Sequence, residues 1–169
     1  CNKGRYSPAG EDQCFRCTPG RFTNDTATAD QCHACEAGRA QPEFEKLGCD
    51  DCPIGSYSAA AAPNCSLCEP GSFSIVEGTA NCTLCDPGKA QVNSGQNFCS
   101  NCTEGKFAGS SGQPTCLDCP GGRFTARNQT ILCDPCLGGT YQDVDGTSSC
   151  KSCETGRAND ELAQTECAN

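Results

Sequence analysis

Cysteine recurs in this chain with a period that leaves little freedom in how it folds. CxxC pairs begin at Cys14, Cys32, Cys49, Cys65, Cys82, Cys99, Cys116, Cys133 and Cys150, at steps of 18, 17 and 16 residues and then 17 throughout. Cys1 stands as the second half of such a pair and Cys167 as the first half of another. The 169 residues therefore carry ten copies of one element: a cysteine, 12 to 14 residues, a second cysteine, and two residues before the next copy. Internal repeats of this length are the mark of an array in which each copy is too small to bury a core alone. The copies are numbered here repeat 1 (1–14), repeat 2 (17–32), repeat 3 (35–49), repeat 4 (52–65), repeat 5 (68–82), repeat 6 (85–99), repeat 7 (102–116), repeat 8 (119–133), repeat 9 (136–150) and repeat 10 (153–167). The expectation is one array over 1–169, cut from a longer chain, because both end pairs are halved and the chain has no Met.

Cross-links are needed because the apolar content is thin. Val, Ile and Leu number 13 and Phe 7 in 169 residues. That is well under the roughly 20 % level below which chains tend to stay disordered. There is no Trp, and cysteine contributes 20 residues. Side-chain burial alone would not offset the entropy lost on ordering such a chain.

Each repeat has the same internal grammar. A Gly stands three after the opening cysteine at Gly4, Gly20, Gly38, Gly55, Gly71, Gly88, Gly105, Gly122, Gly139 and Gly156. Gly takes positive φ without steric cost, and a preceding Pro, as at Pro19, Pro70 and Pro87, suits a type II turn. Two residues on comes an aromatic (Tyr6, Phe22, Tyr57, Phe73, Phe107, Phe124, Tyr141) or Ala (Ala40, Ala90, Ala158). Segments such as GRFT and GSFS read as brief strands. A second turn is marked at Gly78, Gly95, Gly112 and Gly146, and a further short segment runs into the next cysteine. The aromatics are expected to pack on a neighbouring disulfide. Gly and Pro punctuate every repeat, which disfavours helix. The fold class that follows is small, disulfide-rich and mostly β or irregular, with tandem 17-residue repeats forming an elongated solenoid or rod.

Sequence alone does not normally choose among cysteine pairings. Here the simplest scheme that uses every cysteine locally joins the second Cys of one CxxC to the first Cys of the next. It gives Cys1–Cys14, Cys17–Cys32, Cys35–Cys49, Cys52–Cys65, Cys68–Cys82, Cys85–Cys99, Cys102–Cys116, Cys119–Cys133, Cys136–Cys150 and Cys153–Cys167. Closing each CxxC on itself would orphan Cys1 and Cys167. Loops of roughly 15 residues are each worth about 3 kcal/mol in the chain-entropy model. The rival is a zinc array, since CxxC…CxxC is also a zinc-ribbon signature. Such ribbons belong mainly to reducing compartments, and the halved end pairs spoil a tally in fours. A redox CxxC would open a helix in a βαβ element, and none is visible. No metal or cofactor is expected.

The formal net charge of −9 supplies no basic stripe, so nucleic acid is not an expected partner. No apolar run in this piece approaches membrane-spanning length. Five N-glycosylation sequons stand at Asn24, Asn64, Asn81, Asn101 and Asn128, and Asn64 and Asn81 lie one repeat apart. With the cysteine load they point to the secretory route. The only His, His33, has no placed partner and reads as a surface residue. Asp143 and Asp145 are a lone pair, not a calcium loop. No catalytic constellation is present, and no enzyme is expected.

The run CPIGSYSAAAAPNCSLCEPGSFSIVEGTANCTLC resembles the cysteine-rich ephrin-receptor-like repeats, whose pattern is a cysteine pair, a Pro-Gly turn and an aromatic-Ser segment. The resemblance extends over essentially all ten repeats and implies tandem disulfide-linked β elements in an extracellular or cell-surface setting. It reaches the cysteines, the ten glycines, and Tyr57 or Phe73 as packing residues; Ala40, Ala90 and Ala158 depart from it. The expected function is non-enzymatic: an extracellular structural glycoprotein, a building block of a filament, stalk or surface hair. Its expected partners are N-linked glycans and other copies of itself, head to tail. The alternative is the ectodomain stalk of a receptor or adhesin that binds a protein. For that reading the least regular segment, Gln41 to Leu47 with Phe44 out of the aromatic position, is the candidate patch.

Overall fold

The computed structural model describes residues 1–24 and 29–168. Among these residues the regular structure consists of two-residue strands paired as nine antiparallel hairpins, and there is no helix. Each hairpin begins where the sequence places a strand, directly after the first-turn glycine. In repeat 2, Arg21 N–H donates to Thr18 O at 3.0 Å across a turn in which Gly20 has φ +80°. That is the type II turn the Pro-Gly pair favours. Arg21 and Phe22 then pair with Ala34 and His33.

The returning strand is not the segment before the cysteine. It is the dipeptide inside CxxC: Phe15–Arg16, His33–Ala34, Asp50–Asp51 and so on to Lys151–Ser152. This fixes the disulfide pattern. Three residue steps of extended chain span ~10 Å, beyond the ~7 Å Cα separation a disulfide can bridge. A CxxC in this conformation cannot close on itself, and its two cysteines serve different loops. The ten disulfides run from Cys1–Cys14 to Cys153–Cys167, each within one repeat, with Cα separations of 5.5 to 5.8 Å and no free cysteine.

Chain contacts divide the molecule into two compact bodies, one of residues 1–69, 73–83 and 94–97, the other of 70–72, 84–93 and 98–169. Both stack repeats in the same way, through the backbone. In the first body, Gly55 N–H donates to Ser74 O (3.0 Å), Ser58 N–H to Thr79 O (3.3 Å), Gly78 N–H to Cys52 O (2.8 Å) and Cys68 N–H to Gly55 O (2.9 Å). In the second, the corresponding bonds are Gly122 to Gln142 (2.7 Å), Thr125 to Thr147 (3.3 Å), Gly146 to Cys119 (2.8 Å) and Cys136 to Gly122 (2.8 Å). No disulfide crosses between repeats. The bridges close the loops, and backbone hydrogen bonds join one loop to the next.

The interior is correspondingly unlike an oily core. Its buried members are opening cysteines, such as Cys52, Cys85 and Cys119 at 0 % exposure, together with Ala40, Ala90 and polar side chains. Gln41, Gln91 and Gln142 are buried, and each braces its own loop. Gln91 Nε2 donates to Phe98 O at 2.9 Å and its Oε1 accepts Asn93 N–H at 3.0 Å; Gln41 and Gln142 make the equivalent pairs. Buried polar groups satisfied in this way carry no desolvation penalty, which is why a chain so poor in Leu and Ile can use them.

Candidate functional site

The feature repeated most faithfully is a cradle on the first-turn glycine, and it is filled from two repeats ahead. A Cβ on Gly55 would collide with the carbonyl of Gly95; on Gly38, with Gly78; on Gly105, with Gly146; on Gly4, with Glu45. Gly20, Gly71, Gly88 and Gly122 meet Ala61, Gly112, Gln129 and Ala163 in the same way. All eight are buried. Gly139 and Gly156 have equally positive φ but nothing within 4 Å of that position, and they are exposed. The glycine is therefore required twice over, for the turn and for the approach of another repeat's backbone. A repeat touches its second neighbour as well as its first.

The residue that fills the cradle is the second turn. At Gly78, Gly95, Gly112 and Gly146 the sequence marks it with glycine; at Glu45, Ala61, Gln129 and Ala163 a side chain sits there at φ near +60°. Such a conformation costs an L-residue ~1–2 kcal/mol. It persists because both backbone polar groups of the residue are engaged: Ala61 N–H donates to Cys35 O at 2.8 Å while its carbonyl lies over Gly20.

Glu45 has a further role. The first hairpin sets Arg5 directly opposite Arg16, a repulsive like-charge pair. Glu45 reaches both, at 2.6 Å from Arg5 and 3.1 Å from Arg16. Other hairpins carry their own compensation. Arg39 stands opposite Asp51, 2.6 Å away, and Lys106 opposite Asp118. The hydrogen bond from Arg39 holds the Asp51 carboxyl below the usual carboxylate range.

The other sequence candidates fall as follows. Asn24, Asn64, Asn81, Asn101 and Asn128 are all exposed; Asp25 and Thr26 of the first sequon lie outside the described residues. Asn64 and Asn81 occupy the same position in consecutive repeats, Asn101 lies in the strand Ser100–Asn101, and the Thr130 hydroxyl of the last sequon is buried and donates to Arg127 O at 2.8 Å. His33 is exposed, with its ring 5.9 Å from that of Phe22 across the hairpin. Tyr6 meets Phe15 in the same register at 5.8 Å, so these two rings find aromatic partners within their own hairpins. Asp143 pairs with Lys151, and Asp145 Oδ1 accepts the Gly121 N–H at 2.8 Å, so both acids serve structure. In Gln41–Leu47, Gln41 is internal, whereas Phe44 is 56 % and Leu47 48 % exposed.

Sequence reasoning did not find the second-neighbour contact, the left-handed non-glycine turns or the glutamine braces. Among the described residues no helix is long and apolar enough to cross a membrane, and every cysteine sulfur is committed to a disulfide.

Residues 88–131 match the family model described as "Tyrosine-protein kinase ephrin type A/B receptor-like". The match begins on the first-turn glycine of repeat 6 and ends in repeat 8. No curated protein matches the chain. Ten disulfides and this type of repeat support an extracellular or cell-surface setting, where such bonds persist.

Proposed function

We propose, from the ephrin-receptor-like cysteine-rich repeats that this chain carries, that it is a non-enzymatic structural glycoprotein, one array of ten repeats serving as a building block of an extracellular filament, stalk or surface hair. The observation that carries this is the nature of the joint between repeats. It consists of backbone N–H and C=O groups and a carbonyl lying over a glycine, so it hardly depends on which side chains a repeat bears. A joint of that kind adds repeats without limit, within a chain or between copies. Glycans on Asn64 and Asn81 would project from successive repeats and shield the array from proteases.

Electron microscopy of the secreted protein at rising concentration tests this. Rods that lengthen end to end are expected, and compact monomers at every concentration would defeat the reading. Intact mass with and without glycosidase counts the sugars separately. The exposed Phe44 and Leu47 favour a second reading, a receptor or adhesin stalk with a protein partner at 41–47. Under it, Phe44→Ala weakens binding of that partner; equal binding removes it.

A further inference from the structure

The described cations of this acidic chain mostly sit beside a carboxylate of their own. Arg39 has Asp51, Lys106 has Asp118, Arg127 has Asp134 and Lys151 has Asp143. The first two repeats bring two exceptions close together. Arg5 and Arg16 share the single carboxylate of Glu45. Arg21 contacts no carboxylate among the described residues: its guanidinium donates to Cys32 O at 3.4 Å. Arg123 has the same kind of bond, to Cys133 O, but Arg16 and Arg21 bring their charge to one groove, on a protein whose net charge is −9.

That surplus lines a groove. Tyr6, Arg16, Thr18, Arg21, Gln31 and Cys32 enclose about 270 Å3. The polar groups of these side chains are two guanidiniums, two hydroxyls (Tyr6 and Thr18) and an amide, with no carboxylate among them. Guanidinium forks match the planar or tetrahedral oxygens of a carboxylate or sulfate. The Tyr6 ring, held 5.8 Å from Phe15, supplies a flat apolar surface beside them. Two other grooves lack this chemistry. The one at Phe22, His33 and Arg39 contains Glu36, and Arg39 there is paired with Asp51. In the one at Asn128, the cation Arg127 is paired with Asp134.

We propose that the groove between the first two repeats binds a short anionic saccharide, its sulfate or carboxylate held by Arg16 and Arg21 and a sugar face lying on Tyr6. The −9 net charge repels a long polyanion, so the ligand is a short acidic oligosaccharide and not nucleic acid. Glu45 tunes the site by drawing on Arg16. The assignment is independent of whether the array polymerises.

Calorimetric titration of the whole protein with a sulfated heparin tetrasaccharide tests the proposal, beside the desulfated tetrasaccharide and inorganic sulfate. Saturable one-site binding of the sulfated sugar is expected, at least tenfold tighter than either control and weakening with salt. Arg21→Gln lowers affinity at least tenfold. Arg123→Gln, at the same repeat position and with the same bond to a cysteine carbonyl, leaves it unchanged. Glu45→Gln tightens binding. Thr18→Glu, an exposed change that keeps both guanidiniums, weakens it even if Arg21→Gln disturbs folding. Inorganic sulfate binding as tightly as the tetrasaccharide, equal losses from Arg21→Gln and Arg123→Gln, or no effect of Thr18→Glu would each overturn the assignment.

Discussion

Replacing Gly55 by Ala isolates the second-neighbour contact, because Gly156→Ala is its matched control. Both glycines have strongly positive φ, +79° and +88°, so each substitution forces Ala into the left-handed region. That costs ~1–2 kcal/mol, reduced by the ~0.4–1 kcal/mol that Ala gains from a stiffer unfolded chain. For Gly156 nothing else follows, since its cradle is open. At Gly55 the new methyl also meets the Gly95 carbonyl, and the backbone of repeat 6 must withdraw. The bonds at stake are Gly95 N–H to Cys68 O at 2.8 Å and Gly55 N–H to Ser74 O at 3.0 Å. Each is worth about 1 kcal/mol net. Gly55→Ala should therefore cost about 2 kcal/mol more than Gly156→Ala. Hydrogen exchange with the disulfides intact reads this locally. The amides of Gly95 and of residue 55 itself, the donors of those two bonds, should exchange roughly 30-fold faster in Gly55→Ala, while those near Gly156 change by less than about tenfold in its own variant. If the two substitutions accelerate exchange equally, the carbonyl in the cradle contributes nothing and repeats are held by their first neighbours alone.

The left-handed second turns give a substitution of opposite sign. Ala61→Gly removes the strain at φ +59° and should raise stability by up to about 1 kcal/mol in a denaturant titration. Glu45→Gln strips the carboxylate from between Arg5 and Arg16, so the first hairpin should exchange faster at low salt and recover as salt screens the pair. Asp51 has its folded-state pKa depressed by Arg39, so the stability it contributes is present above its unfolded pKa and is lost as pH falls through the folded value. Arg39→Gln should return the carboxyl midpoint, followed by NMR, to the ordinary range. Lys151 behaves inversely. Its pKa is raised, chiefly by the hydrogen bond to Asp143, so its contribution holds below the unfolded pKa and disappears as pH rises through the folded one; Asp143→Asn should abolish that alkaline step.

What could be read from the sequence was whatever depends on one repeat. The first turn was visible because a Pro-Gly pair announces its own backbone angles, and the strand at Arg21–Phe22 because it follows that turn at once. The role of the CxxC dipeptide was hidden. Pairs as different as Asp50–Asp51 and Ser66–Leu67 take the same strand, so pairing with the residues after the glycine decides it, not β propensity. The glutamine braces were hidden because a polar residue after the turn reads as exposed until its loop is seen to fold over it. The left-handed turns at Glu45 and Ala61 were hidden because those residue types announce no positive φ. The arginine groove needs two repeats side by side, and nothing in either alone marks it.

The division of labour between sulfur and backbone determines how such an array fails. Each disulfide closes a loop of 13 to 15 residues within one repeat, so reducing one bond frees that loop without unlinking any two repeats. The joints respond differently. The carbonyl of Gly95 lies on Gly55 while its N–H holds Cys68, so one residue in repeat 6 touches repeats 4 and 5 together. Displacing that residue loosens two joints at once, which couples neighbours more strongly than a chain of first-neighbour contacts would. Loop-by-loop covalent closure gives each repeat a fixed shape despite its thin apolar content, and within each compact body the three-repeat overlap ties those shapes together. The property follows from glycine at one position in every repeat, and it is the reason that a methyl group at Gly55 should be felt farther along the chain than the loss of a disulfide beside it.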